Sequence, residues 1–91
     1  MKKPEIDTEI FQIINEDGKI VNTREMPRLK KEDLKKMYEL MVLSRVYDDV
    51  AIKLQREGRM LTYASLKGQE ASQIGSALAM QKKDWFVPSY R

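Results

Sequence analysis

The stretch Tyr63–Arg91, YASLKGQEASQIGSALAMQKKDWFVPSYR, decides how this chain is read. Its polar opening leads through Gly68 into a helix expected to run to about Gln81, with Ser65 placed to cap it by accepting a bond from a free amide three residues on. Within that helix Ala71, Gly75 and Ala79 recur every four residues beside Ser72, Ser76 and Ala77, while Ile74 and Leu78 fill the adjoining face. Such a stripe predicts close packing against another backbone. Gln69 and Glu70 would be the exposed polar groups of the helix start, where the helix dipole alone explains a carboxylate. Lys82 and Lys83 stand where the same dipole favours cations. Trp85, Phe86 and Val87 then form a short apolar run, the pattern of a strand buried on both faces, and Pro88 closes it because it has no ladder donor. Tyr90 and Arg91 follow at the place where open α/β sheets present side chains to ligands. No neighbouring strands come after this one, so the reading expects the stretch to belong to a larger unit.

Upstream, a long helix is expected from Lys30 or Lys31 to about Glu57. Glu32 and Asp33 suit its first turn, Lys53 and Arg56 its last, and Gly58 the left-handed position that ends it. Met37, Leu40, Leu43, Tyr47, Val50 and Leu54 recur at intervals of three or four, and Leu34, Met41, Val42 and Val46 widen the apolar face. That breadth predicts burial on more than one side. Arg45 and Asp49, one turn apart, are expected to pair at the surface. The adjacent Asp48 and Asp49 lack the further ligands at helical spacing that a metal site requires.

The first 29 residues read differently. Residues 1–9 have no hydrophobic period and are expected to form an arm. Asn15-Glu16-Asp17-Gly18 lies between Ile10, Phe11, Ile13, Ile14 and Ile20, Val21, which predicts a β-hairpin needing a surface to lie on. Residues 23–29, with Pro27, read as a linker. The fold expected for the chain is therefore mainly α: hairpin, long helix, second helix and one short strand.

Composition narrows the chemistry. The chain has 91 residues, no cysteine and no histidine, so disulfides, thiolate chemistry and imidazole catalysis are excluded within it. It is 42% hydrophobic and 34% charged, a balance that fits a folded domain rather than a disordered or membrane-spanning chain. The N-terminus lacks the apolar core of a signal peptide, and the reading expects a cytoplasmic protein. A net charge of +3 is modest, and the basic residues Arg28, Lys30, Lys31, Lys35 and Lys36 are interleaved with Glu32, Asp33 and Glu39. This is the pattern of a solvated helix start, and no nucleic-acid partner is expected.

The run GRMLTYASLKGQEASQIGSALAMQKKDWFVPSYR, with FQIINEDGKIVN, Met26-Pro27 and MVLSRVYDD before it, resembles the alpha subunit of the decarboxylating component of 2-oxo acid dehydrogenase complexes. Among its branches the pattern is most similar to the bacterial pyruvate dehydrogenase alpha subunits. Gly68-Gln69-Glu70-Ala71 and Ser89-Tyr90-Arg91 are its sharpest markers. The resemblance implies a parent α/β fold that binds thiamine diphosphate and magnesium, with residues 1–29 as an arm and residues 30–91 as the start of the cofactor-binding domain. It implies a beta subunit in an α2β2 assembly, decarboxylation of a 2-oxo acid such as pyruvate, and acyl transfer to a lipoyl group on the acyltransferase component. Residue by residue it implies only that Tyr90 and Arg91 meet thiamine diphosphate, the planar guanidinium suiting phosphate oxygens.

The family's magnesium and diphosphate motif, a Gly-Asp-Gly followed later by asparagine, has no counterpart here, and no catalytic or metal-ligating residue is expected. The 91 residues alone are expected to be inactive and to bind no cofactor. The alternative reading is a helical module that self-associates through its long helix and the Ala71, Gly75, Ala79 stripe, without catalysis.

Overall fold

The computed structural model describes residues 9–89; the cofactor contacts expected at Tyr90 and Arg91, and most of the N-terminal arm, lie outside the described residues. Two helices make up its regular structure: α1, Lys31–Arg56, and α2, Glu70–Ala79. Both were expected, and α1 falls within a residue of its predicted limits at each end. Its start is fixed by Asp33, whose carboxylate accepts the backbone N–H of Lys30 at 3.3 Å, and Glu32 and Asp33 place negative charge on the positive end of the dipole. At the other end the N–H of Glu57 bonds to the carbonyl of Lys53, and Gly58 turns to φ +73°. The N–H groups of Arg59 and Met60 then both reach back to the Leu54 carbonyl. That turn reverses the chain and brings residues 63–70 back alongside α1.

The expected β-hairpin reduces to a closed turn. Gly18, at φ +76°, donates to the Asn15 carbonyl, and the Asn15 side chain accepts the N–H groups of Asp17 and Lys19 at 3.0 and 2.9 Å. One antiparallel bridge, Ile14 to Ile20, stands on it. The turn chemistry was legible, but Phe11, Ile14, Ile20 and Val21 all remain exposed, and an unsupported two-strand pair does not propagate.

Trp85 to Val87 likewise form no strand. With no neighbouring strand to accept their ladder bonds they lie open, Trp85 at 92% exposure. Helix α2 also stops before Gln81. Met80 adopts extended angles, and the next four residues close a turn in which Asp84 accepts the Gln81 N–H at 2.7 Å while donating its own N–H to the Gln81 carbonyl. Lys82 and Lys83 therefore lie in that turn and not on the last turn of α2.

The core is thin. Ala51, one turn beyond Asp48 on α1, is the one fully buried apolar residue among those described. Leu34, Val42, Leu43, Val46 and Val50 are all at least half as open as free side chains or close to it, so α1 is covered on one side and not on several. The radius of gyration, 17.8 Å, exceeds the roughly 12 Å of a compact domain of this length. The small-residue stripe is not packed as expected either, since a Cβ added at Gly75 would meet nothing within 4 Å.

Gly58 carries the reversal on a left-handed backbone. Replacing it by alanine, Gly58→Ala, should cost about 1–2 kcal/mol, read as a lower thermal midpoint of the helical circular-dichroism signal. Gly75→Ala, in open space within a helix, should raise that midpoint by up to about 1 kcal/mol equivalent.

Candidate functional site

The two most buried charged groups of the described chain are both carboxylates, Asp48 at 1% and Glu70 at 5% exposure. Isolated burial of such ions is prohibitive, so their partners explain why they are there. Asp48 projects from the middle of α1 into the returning loop and accepts three bonds. The Tyr63 hydroxyl donates to Oδ1 at 2.7 Å, the Leu66 backbone N–H to the same oxygen at 2.8 Å, and the Ser65 hydroxyl to Oδ2 at 2.7 Å.

Three residues earlier on the same helix face, Arg45 Nε donates to Glu70 Oε1. The second oxygen of Glu70 accepts the N–H of Gly68 at 3.0 Å, which Gly68 presents by adopting φ +90°. Tyr47 completes the cluster by meeting the Tyr63 ring edge-on, with centroids 6.2 Å apart. One turn and a half of α1 thus holds the whole segment from Tyr63 to Glu70. No buried side-chain polar atom among the described residues lacks a partner.

These bonds set the charge states. The Leu66 N–H and the Tyr63 hydroxyl hold the Asp48 carboxyl below its ordinary range, with Ser65 adding to them and burial opposing. The Arg45 guanidinium, followed by the backbone N–H groups of Glu70 itself and Gly68, pulls Glu70 down to about 2. Burial, reinforced by the Asp48 anion, pushes the Tyr63 phenol up to about 12. At neutral pH the site therefore contains two fixed anions, one fixed cation and a neutral phenol.

Several expectations change here. Arg45 pairs with Glu70 and not with Asp49, because the returning chain offers a carboxylate whose other oxygen is already oriented. Glu70 is buried instead of exposed. Ser65 does not cap α2, since its hydroxyl is committed to Asp48 and accepts the N–H of Lys67 at 3.3 Å, while Gln69 occupies the cap position. The sequence carried one usable signal for Asp48, which shares the Leu40, Ser44, Ala51 side of α1, where an unpaired charge would be costly. Its partners lie 15 to 18 residues away and could not be assigned from helical spacing.

Chemically the cluster is directed inward. Both carboxylates are buried and held ionised by protein donors on each of their oxygens, which makes them weak bases toward a substrate proton. No group of three histidine, cysteine or carboxylate side chains that would hold a metal ion occurs among the described residues. The positive end of α2 is occupied by the Glu70 carboxylate, which would repel a phosphate. The start of α2 therefore does not offer a diphosphate a site.

Comparison with known proteins places this joint in a family. The chain belongs to the family described as the dehydrogenase E1 component, which matches residues 38–91. That span contains most of α1, the loop and α2. Among individual proteins, the chain is 53% identical over 77 residues to the pyruvate dehydrogenase E1 component subunit alpha of Acholeplasma laidlawii, covering 85% of this chain and 22% of that protein. The same subunit of Bacillus subtilis is 47% identical over 81 residues, 89% of this chain and 22% of the relative. That of Bacillus cereus is 43% identical over 91 residues, 100% of this chain and 24% of the relative. The chain thus spans under a quarter of the length of these curated relatives and matches their N-terminal region.

The shifted groups predict two limits of stability. Glu70, at about 2 against an ordinary 4.5, contributes stability that is complete above the ordinary value and is lost as pH falls from 4.5 toward 2. Tyr63, at about 12 against 10.0, contributes stability that is complete below pH 10 and is lost as pH rises toward 12. Ultraviolet titration of Tyr63 should show a late-ionising phenol, and Asp48→Asn should bring its midpoint down.

Proposed function

We propose that the chain is the N-terminal scaffold of a 2-oxo acid dehydrogenase alpha subunit, with pyruvate as the favoured 2-oxo acid. The observation that carries this reading is the 53% identity to a pyruvate dehydrogenase alpha subunit over 77 residues, which no short motif would supply. Members of the family generally depend on thiamine diphosphate. When bound, that cofactor would supply the carbanion equivalent and the electron sink that decarboxylation of a 2-oxo acid requires.

In this reading residues 30–91 begin the cofactor-binding α/β domain, and the described part of it orients the chain without touching the cofactor. Tyr90 and Arg91 are the proposed contacts, resting on their match to the family's tyrosine and arginine. Magnesium is held by residues other than those described. A beta subunit in an α2β2 assembly and a lipoyl-bearing acyltransferase are the proposed partners. The cytoplasm is the proposed compartment, and no helix among the described residues is long and apolar enough to cross a membrane. Nothing in the fold or the comparisons favours the self-associating module over this reading.

The test is reconstitution. The 91 residues mixed with a matching beta subunit should show no 2-oxo acid decarboxylation, whereas the same sequence continued by the rest of an alpha subunit should restore it. Decarboxylation by the short mixture would remove the claim that the described residues lack the cofactor machinery. Arg91→Ala in the active assembly should weaken thiamine diphosphate binding by about tenfold or more, the loss expected for a charge-assisted contact.

A further inference from the structure

We propose that Asp48 and Glu70 are positioning residues acting as a single two-point clamp, which sets the orientation of α2 on α1 in place of apolar packing. The inference goes beyond the proposed function and does not depend on it, since it concerns contacts the described residues make among themselves.

The first ground is the weakness of the competing constraint, since Met37, Leu40, Met41 and Ile74 are only half-buried. Two helices normally fix their crossing by interlocking side-chain ridges. Here Ala51 is the one buried apolar residue among those described. Toward the start of α1 and the end of α2 the two helices are separated by a cleft of about 470 Å³, lined by Leu29, Met37, Gly75, Leu78 and Ala79 among others. Apolar contact at that end does not hold the angle.

The second ground is the covalent shortness of the link. Asp48 grips the N–H of Leu66 and Glu70 grips the N–H of Gly68, two residues on. Between them the Gln69 N–H bonds to the Leu66 carbonyl at 2.9 Å, closing a turn in which Gly68 is left-handed. A shift at Leu66 is therefore transmitted to Gly68. On the α1 side Arg45 and Asp48 are three residues apart, on adjacent positions of one face, so both grips attach to one rigid turn. Three side chains, Arg45, Asp48 and Glu70, and one tight turn form a closed circuit, and opening it at either carboxylate should loosen the other.

Amide hydrogen exchange on the 91-residue chain tests this. Asp48→Asn should speed exchange at Leu66 by about tenfold or more, the scale of a lost bond to a charged group, and should also speed exchange at Gly68, whose own acceptor is untouched. Glu70→Gln should do the reverse, and Arg45→Gln, which leaves both carboxylates in place, should reproduce the Glu70→Gln pattern. Spin labels at Lys35 and Ser76, both exposed, should give a narrow distance distribution in the parent chain and a broad one in all three variants.

If each carboxylate variant affected only its own amide, the two grips would be independent and the clamp would be refuted. An unchanged distance distribution would equally refute it. Should Asp48→Asn abolish the helical signal altogether, Tyr63→Phe and Ser65→Ala, each removing one of the three bonds to Asp48, take its place. They should give smaller, graded rises at both amides, and a rise confined to Leu66 would overturn the proposal.

Discussion

Two carboxylates buried in a chain with almost no apolar core are the constraint on which this structure depends. In most small domains the hydrophobic effect chooses the arrangement and polar groups accommodate it. Here the order is inverted. Each carboxylate must find donors or pay for its desolvation, and the donors they find, two hydroxyls, two backbone N–H groups and a guanidinium, are what bring the loop and α2 against α1. Because a hydrogen bond has direction and apolar contact has little, the joint specifies an angle while contributing only modestly to total stability.

The rest of the apolar surface is open. Helix α1 presents Leu34, Tyr38, Val42, Val46 and Val50 at four-residue intervals, and Trp85, Phe86 and Val87 extend past α2. The matched span makes up under a quarter of the related pyruvate dehydrogenase alpha subunits, so these faces belong to a small share of such a protein.

What the sequence allowed and what it hid divide along a physical line. The limits of α1 were readable because they depend on neighbours in the chain: Asp33 reaching back to Lys30, Gly58 accepting a left-handed backbone. The turn at Asn15–Gly18 was readable for the same reason. The strand expected at Trp85–Val87 was not formed, since a strand is a relation between segments and its apolar pattern records only a capacity to be buried. The Arg45 to Glu70 pair was hidden behind a nearer candidate, Asp49, and nothing in helical spacing reveals that the chain will fold back across Asp48. Tyr90 and Arg91 were singled out by resemblance alone, and they lie outside the residues described.

The donors around Asp48 are of unequal kind, and this shapes how the sequence is free to drift. The Leu66 donor is a backbone N–H, which every amino acid except proline provides, so position 66 is free to vary without touching the bond. Tyr63 and Ser65 each supply one bond of three, and losing either leaves the anion partly solvated by protein. Asp48 has less latitude, because an asparagine there could at best keep its oxygen on Tyr63 and Leu66 and turn its NH2 to the Ser65 oxygen, giving up the charge that strengthens all three bonds. A single position thus bears the selective burden of a contact whose other half is distributed over three residues, so substitution should be tolerated along the loop long before it is tolerated on the helix.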